Sequence, residues 1–216
     1  MSKRFASSVF ILLFTSVLFI VSGIKINMIW GSSFSFLSGF NLVGPLAGIF
    51  LGLPFAILIL AVKYLFKLYI LSGNFLNPLL YYVPTLCAMA YWKDKSKLIR
   101  LFLPLVCMAL FVIHPIGNAA WFYSLYWFIP LVIYCLPTQT IFTQSLGSTF
   151  TAHAVGTVLW LYFGSMNVEL FYTLMPIVFI ERLLIASGMT IMYYLLSAAR
   201  SSTQRLANRV HLYLYA

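Results

Sequence analysis

Two adjacent residues of opposite charge, Glu181 and Arg182, lie inside the apolar stretch LFYTLMPIVFIERLLIASGMTIMYYLL that runs from Leu170 to Leu196. The whole chain has only 3 acidic residues, and this one stands where charge is costly. At a bilayer centre such a side chain costs roughly 2.5–3.5 kcal/mol, so it normally faces a partner or a water-filled cavity. Successive residues of a helix point about 100° apart, which predicts two different targets. One of the pair should look into an interior hollow, while the other meets a neighbouring helix, a carbonyl or a partner subunit. The plain structural alternative is an ion pair with another helix. His153 is the ionisable group expected beside Glu181.

His153 itself sits in a stripe. Thr149, His153, Gly156, Thr157 and Trp160 recur at steps of three and four residues, which places them on one side of a helix. Such a stripe either lines an interior site or bonds to a neighbouring helix. No second ligand stands four residues away, so a metal is not expected. Further back, Asn118, Tyr126 and Trp127 follow His114-Pro115 and could line a pocket for a flat or heteroaromatic ligand, with Trp121 and Tyr123 at an interface. The ligand-binding candidates are therefore His153, Glu181, Arg182, Asn118, Trp160, Trp127 and Tyr126. His153 and Asn118 would hydrogen-bond, Glu181 or Arg182 would recognise charge, and Trp160 would stack.

Catalysis has little to work with. The chain has no nucleophile elbow, no HExxH, no acidic metal-binding cluster and no P-loop. A non-enzymatic role without a cofactor is the expectation. The remaining catalytic alternative is an intramembrane enzyme using His114 or His153 with Glu181 as acid and base. A third alternative is an assembly subunit in which the charged pair only locks helices together. Cys87, Cys107 and Cys135 lie in apolar stretches and read as small buried hydrophobes outside any disulfide.

The elements that must position these residues follow from composition. Hydrophobic residues make up 63% of the 216 and charged residues 7%, against about 25% charged in an ordinary globular domain. Apolar segments run over roughly Phe5–Ile24, Leu42–Val62, Phe75–Trp92, Leu98–His114, Ala119–Leu136, Leu146–Phe163 and Leu170–Leu196. The fold expected is all-α: one integral membrane domain over residues 1–216, a polytopic bundle of six or seven transmembrane helices. The net charge of +10 gathers in clusters, Lys3-Arg4, Lys93 to Arg100, and Arg200, Arg205 and Arg209, as the positive-inside rule predicts. No polar basic domain exists for nucleic acid. Six spans put all three clusters on the cytoplasmic side if the third segment, with Asn77-Pro78 and Pro84, is a partial or re-entrant element. The first segment reads as a transmembrane helix rather than a signal peptide. Trp30 to Phe40 suits a lid over the bundle. Gly44, Gly48 and Gly52, four residues apart, mark one helix face for close packing or for docking a subunit.

The size, the six-helix bundle and the stretch FSFLSGFNLVGPLAGIFLGLPFAILIL resemble the substrate-binding membrane subunits (S components) of energy-coupling-factor vitamin transporters. The resemblance covers most of the chain as architecture and this stretch as motif. It implies a solute-binding transport subunit in the cytoplasmic (inner) membrane of a prokaryote, surrounded by the lipid bilayer and energised by ATPase and transmembrane coupling subunits. A small neutral or zwitterionic, partly aromatic ligand would lie between helices under the Trp30–Phe40 segment. Ala6, Ser7 and Ser8 are small residues on the first helix, but they lie nearer the terminus than that family's docking motif.

Overall fold

Gly44-Pro45, Gly52 and His114-Pro115 mark breaks in the long apolar runs, whereas Pro84 and Pro176 lie inside helices. The computed structural model describes residues 2–26, 37–70 and 76–215. Helix α1 spans Ser2–Ser22, and a two-residue antiparallel ladder then joins β1 (Lys25–Ile26) to β2 (Leu37–Ser38). The second apolar segment is not one helix. It falls into α2 (Phe40–Val43), a 3-10 turn (Gly44–Leu46), α3 (Ala47–Phe50) and α4 (Leu53–Ile70). Pro45 opens the 3-10 turn, where its missing N–H is harmless. Gly52 adopts φ +85° between α3 and α4, a conformation that glycine tolerates without penalty.

Helix α5 spans Leu76–Lys93 without interruption, with Pro84 inside it. The third segment is thus an ordinary helix and not the partial element expected. A π-helical turn, Leu98–Phe102, leads into α6 (Leu103–Ile113). His114, extended at ψ 135° as the residue before Pro115, ends α6 and caps α7 (Pro115–Ala119). A 3-10 helix, Trp121–Trp127, precedes α8 (Phe128–Cys135). Helices α9 (Ile141–Phe163) and α10 (Val168–Tyr215) complete the chain.

These breaks correct the expected architecture. Among the described residues one helix, over Val168–Val210, is both long and apolar enough to cross a membrane. The apolar helices over Ala6–Ser22, Phe40–Phe50, Leu98–Ile113 and Trp121–Cys135 are shorter. The 8-residue α8 rises only about 12 Å, against a hydrocarbon core of about 30 Å. Composition counted apolar residues correctly but could not show that turns divide them. The polytopic bundle of six or seven spans is therefore not the fold. With it goes the S-component reading, together with the lipid bilayer and coupling subunits as partners and the inner-membrane location, all of which needed several spans. The intramembrane enzyme and the membrane assembly subunit rested on the same spans.

The helices pack around two apolar centres that share α10. One gathers Phe10 and Phe14 of α1, Val43 and Leu46, Trp92 of α5, and Met189 of α10. The other gathers Phe111 of α6, Tyr123 and Trp127, Val158 of α9, and Phe171 of α10. Glu181 and Arg182 stand where α10 passes from one centre to the other, between Val178 and Ile185. The proposed lid falls largely outside the described residues, since 30–36 are not among them.

Candidate functional site

Glu181 and Arg182 meet each other. Arg182 Nη2 lies 2.7 Å from Glu181 Oε1, with side-chain exposures of 15% and 9%. The long arginine side chain curls back along the helix and cancels the 100° divergence. Arg182 Nη1 donates to Thr149 Oγ1 of α9 at 3.3 Å. The ion pair therefore stays within α10, and its tie to a second helix is a hydroxyl rather than a charge.

Thr149 begins the α9 stripe, and His153 follows one turn later. The imidazole is walled by rings, with centroids 5.6 Å from Tyr123, 6.4 Å from Trp127 and 6.5 Å from Phe150. Burial, and then the Arg182 charge, holds His153 well below the usual histidine range. It is Arg182, not Glu181, whose charge His153 feels. Burial also pushes the Tyr123 phenol above its usual range, although Arg182 works against that shift. Tyr123, expected at an interface, is buried, whereas Trp121 is exposed.

Three buried nitrogens in this neighbourhood have no hydrogen-bond partner: Trp127 Nε1, His153 Nε2 and Arg182 Nε. They come from three elements, the 3-10 helix before α8, α9 and α10. A buried polar atom left unpaired costs about 1–3 kcal/mol. The indole and guanidinium nitrogens can only donate, while a neutral imidazole nitrogen donates or accepts according to its tautomer. The site thus offers two fixed donors and one adaptable group beside an internally neutralised ion pair.

Tyr126 borders this centre. Its ring lies 6.1 Å from Phe150 and 6.1 Å from Phe179, nearly parallel to both, and its hydroxyl donates to the Met175 carbonyl at 2.9 Å. Asn118 is exposed and donates from Nδ2 to the Val112 carbonyl at 3.2 Å. Trp160 stands two turns beyond His153 and meets Tyr81 edge-on at 5.7 Å. Neither joins the His153 neighbourhood. His114 spends Nδ1 on the Ile116 amide and packs against Tyr162. Phe40 crowds the Cβ position of Gly44. At Gly48 a Cβ would collide with the Met89 carbonyl, so glycine permits the approach of α3 to α5. Cys107 is buried and Cys87 partly so, but Cys135 is exposed, against expectation; all three are free.

Sequence reasoning missed Tyr123 and Phe150, which wall His153, and Arg100, which is only 2% exposed. Phe150 and His153 are three residues apart, so the helical period alone could have joined them. Nothing local separates Arg100 from the lysines around it. The chain matches no known protein family, no curated protein and no solved structure.

Proposed function

We propose that this chain is a binding protein whose buried polar centre holds a small, neutral, planar ligand rich in hydrogen-bond acceptors. The three unpartnered nitrogens of Trp127, His153 and Arg182 carry this reading, since each lacks the acceptor or donor that a ligand would supply. Neutrality follows from charge. Glu181 already compensates Arg182, and an added ion would be left uncompensated in a medium where that is expensive. Planarity follows from the ring walls, which favour offset stacking or edge contact. In this scheme Trp127 and Arg182 donate, His153 adapts by tautomer, and Tyr126 with Phe150 forms the stacking wall.

Binding is favoured over turnover. Glu181 Oε1 is engaged by Arg182, and the charge acting on His153 is that of Arg182 rather than a carboxylate that would orient it as a general base. The test uses the indole N–H as its reporter. The 15N-indole resonance of Trp127, assigned by its loss in Trp127→Phe, is followed while nicotinamide, a neutral heteroaromatic amide, is added. A saturable shift of that resonance and slower exchange with water are expected, with affinity, read by calorimetry, reduced about tenfold in Trp127→Phe, equal to roughly 1.4 kcal/mol. A resonance that stays still with nicotinamide and with other neutral planar amides of its size would end the proposal.

A further inference from the structure

A second site lies at the far end of α10, beyond the apolar centre that packs α1 against it. There a cavity of about 260 Å³ opens between α1, the α3–α4 junction and α10. Its two sides differ in chemistry. Phe10, Phe50 and Phe55 supply aromatic walls, while Arg200, Thr203 and Gln204 of α10 supply polar groups, with Ser7 of α1 also on the lining. The volume falls just under the roughly 300–1,000 Å³ of pockets for drug-sized ligands, so the occupant is smaller.

The guanidinium of Arg200 is held over the face of Phe10, with Cζ 5.8 Å from the ring centroid. Such a stacked guanidinium keeps its N–H groups free for a planar anion. Among the described residues no carboxylate pairs with it, the one ion pair being Glu181–Arg182. The surroundings are net positive, exposed Asp94 being outnumbered by its lysine neighbours. Phe50 meets Tyr193 at 5.4 Å, and Tyr193 stacks on Trp92 at 5.6 Å. Trp92 directly precedes exposed Lys93, Lys95 and Lys97, and Arg205 stands just past the cavity on α10. Clustered positive charge raises the local concentration of anions.

We infer that this cavity binds a small aromatic monocarboxylate. A single guanidinium on the lining matches one negative charge, and its fork accepts a carboxylate through two parallel hydrogen bonds. Gln204 adds a neutral amide donor, the Thr203 hydroxyl being engaged with the Arg200 carbonyl at 2.8 Å, and the phenylalanines take the ring. The site is separate from the His153 centre and does not depend on it.

The test uses 4-fluorophenylacetate as the probe, read by 19F NMR line broadening on the full chain. Saturable broadening is expected with the unmodified protein. Arg200→Gln, a change at an exposed position, is expected to weaken it at least tenfold. Arg205→Gln removes an equal charge outside the cavity lining and is expected to change affinity less than twofold. 4-Fluorophenylacetamide, which keeps the ring and loses the charge, is expected to bind at least tenfold more weakly. The inference is overturned if the unmodified protein does not broaden the probe signal, or if Arg200→Gln binds as well as the unmodified protein. It is equally overturned if inorganic phosphate displaces the probe at equal concentration, because the basic end would then be collecting anions without regard to the ring.

Discussion

Among the described residues two arginines are withdrawn from water, and they are treated in opposite ways. Arg100 is 2% exposed, yet among the described residues no carboxylate forms an ion pair with it. Its Nη2 donates to the Tyr91 carbonyl at 2.9 Å, its Nε to the Asp94 carbonyl at 3.2 Å, and its Nη1 to Gln139 Oε1 at 2.6 Å. Its guanidinium also lies 4.4 Å from the Tyr91 ring. Gln139 in turn donates to the Ile133 carbonyl of α8. All three kinds of guanidinium nitrogen are engaged, and the residue staples the end of α5 to the segment after α8. Arg182 has a carboxylate and a hydroxyl, but its Nε is left over. Full satisfaction by neutral acceptors marks a structural device. Partial satisfaction beside other orphaned nitrogens is the pattern on which the proposed binding role rests.

That contrast can be broken by substitution. Arg100→Met should cost the most, about 3–5 kcal/mol in urea unfolding, because it strips several buried acceptors of a charged donor at once. No single second change should recover the loss. Arg182→Met should cost less, about 2–3 kcal/mol, since the surviving Glu181 keeps slight solvent contact. The double variant Glu181→Gln with Arg182→Met should recover at least half of that loss, as removing both members of a buried pair often does. If the double variant is as unstable as Arg182→Met alone, the pair is a staple like Arg100 and the distinction fails.

The smallest effect concerns acid. Burial and the Arg182 charge lower the His153 pKa on folding from its ordinary value of 6.5. The unfolded chain therefore binds a proton below about pH 6.5 that the folded chain refuses. Stability is full above that range and declines as pH falls, by at most about 1.4 kcal/mol per pH unit. Thermal melts from neutral to mildly acidic pH should show this slope in the unmodified protein and lose it in His153→Gln. An unchanged slope would mean that His153 is not the group withheld from water.

Helix locations were legible because they depend on local pattern. The run from Leu146 to Phe163 lies wholly within α9, and Leu170 to Leu196 within α10. Helix lengths were not, because Gly44-Pro45, Gly52 and His114-Pro115 redirect the chain only when neighbouring helices define where it must turn. The α9 stripe brought Thr149 and His153 to the polar centre as their spacing implied, but sent Trp160 to Tyr81. A straight stripe about three turns long reaches different neighbours at its two ends.

The amino-acid order by itself determined that the chain is helical, that its charge is scarce and clustered, and that Glu181, Arg182 and His153 are the unusual polar residues of its apolar stretches. Those properties follow from periodicity and side-chain type, which act over a few residues. Only the tertiary structure decided that Arg182 reaches Thr149 of α9, that Trp127 joins His153 with its nitrogen unpaired, that Arg100 is sealed among carbonyls, and that a cavity opens beside Arg200. Each of these depends on which helices come together, and contacts between residues far apart in the chain arise from packing rather than from any local preference.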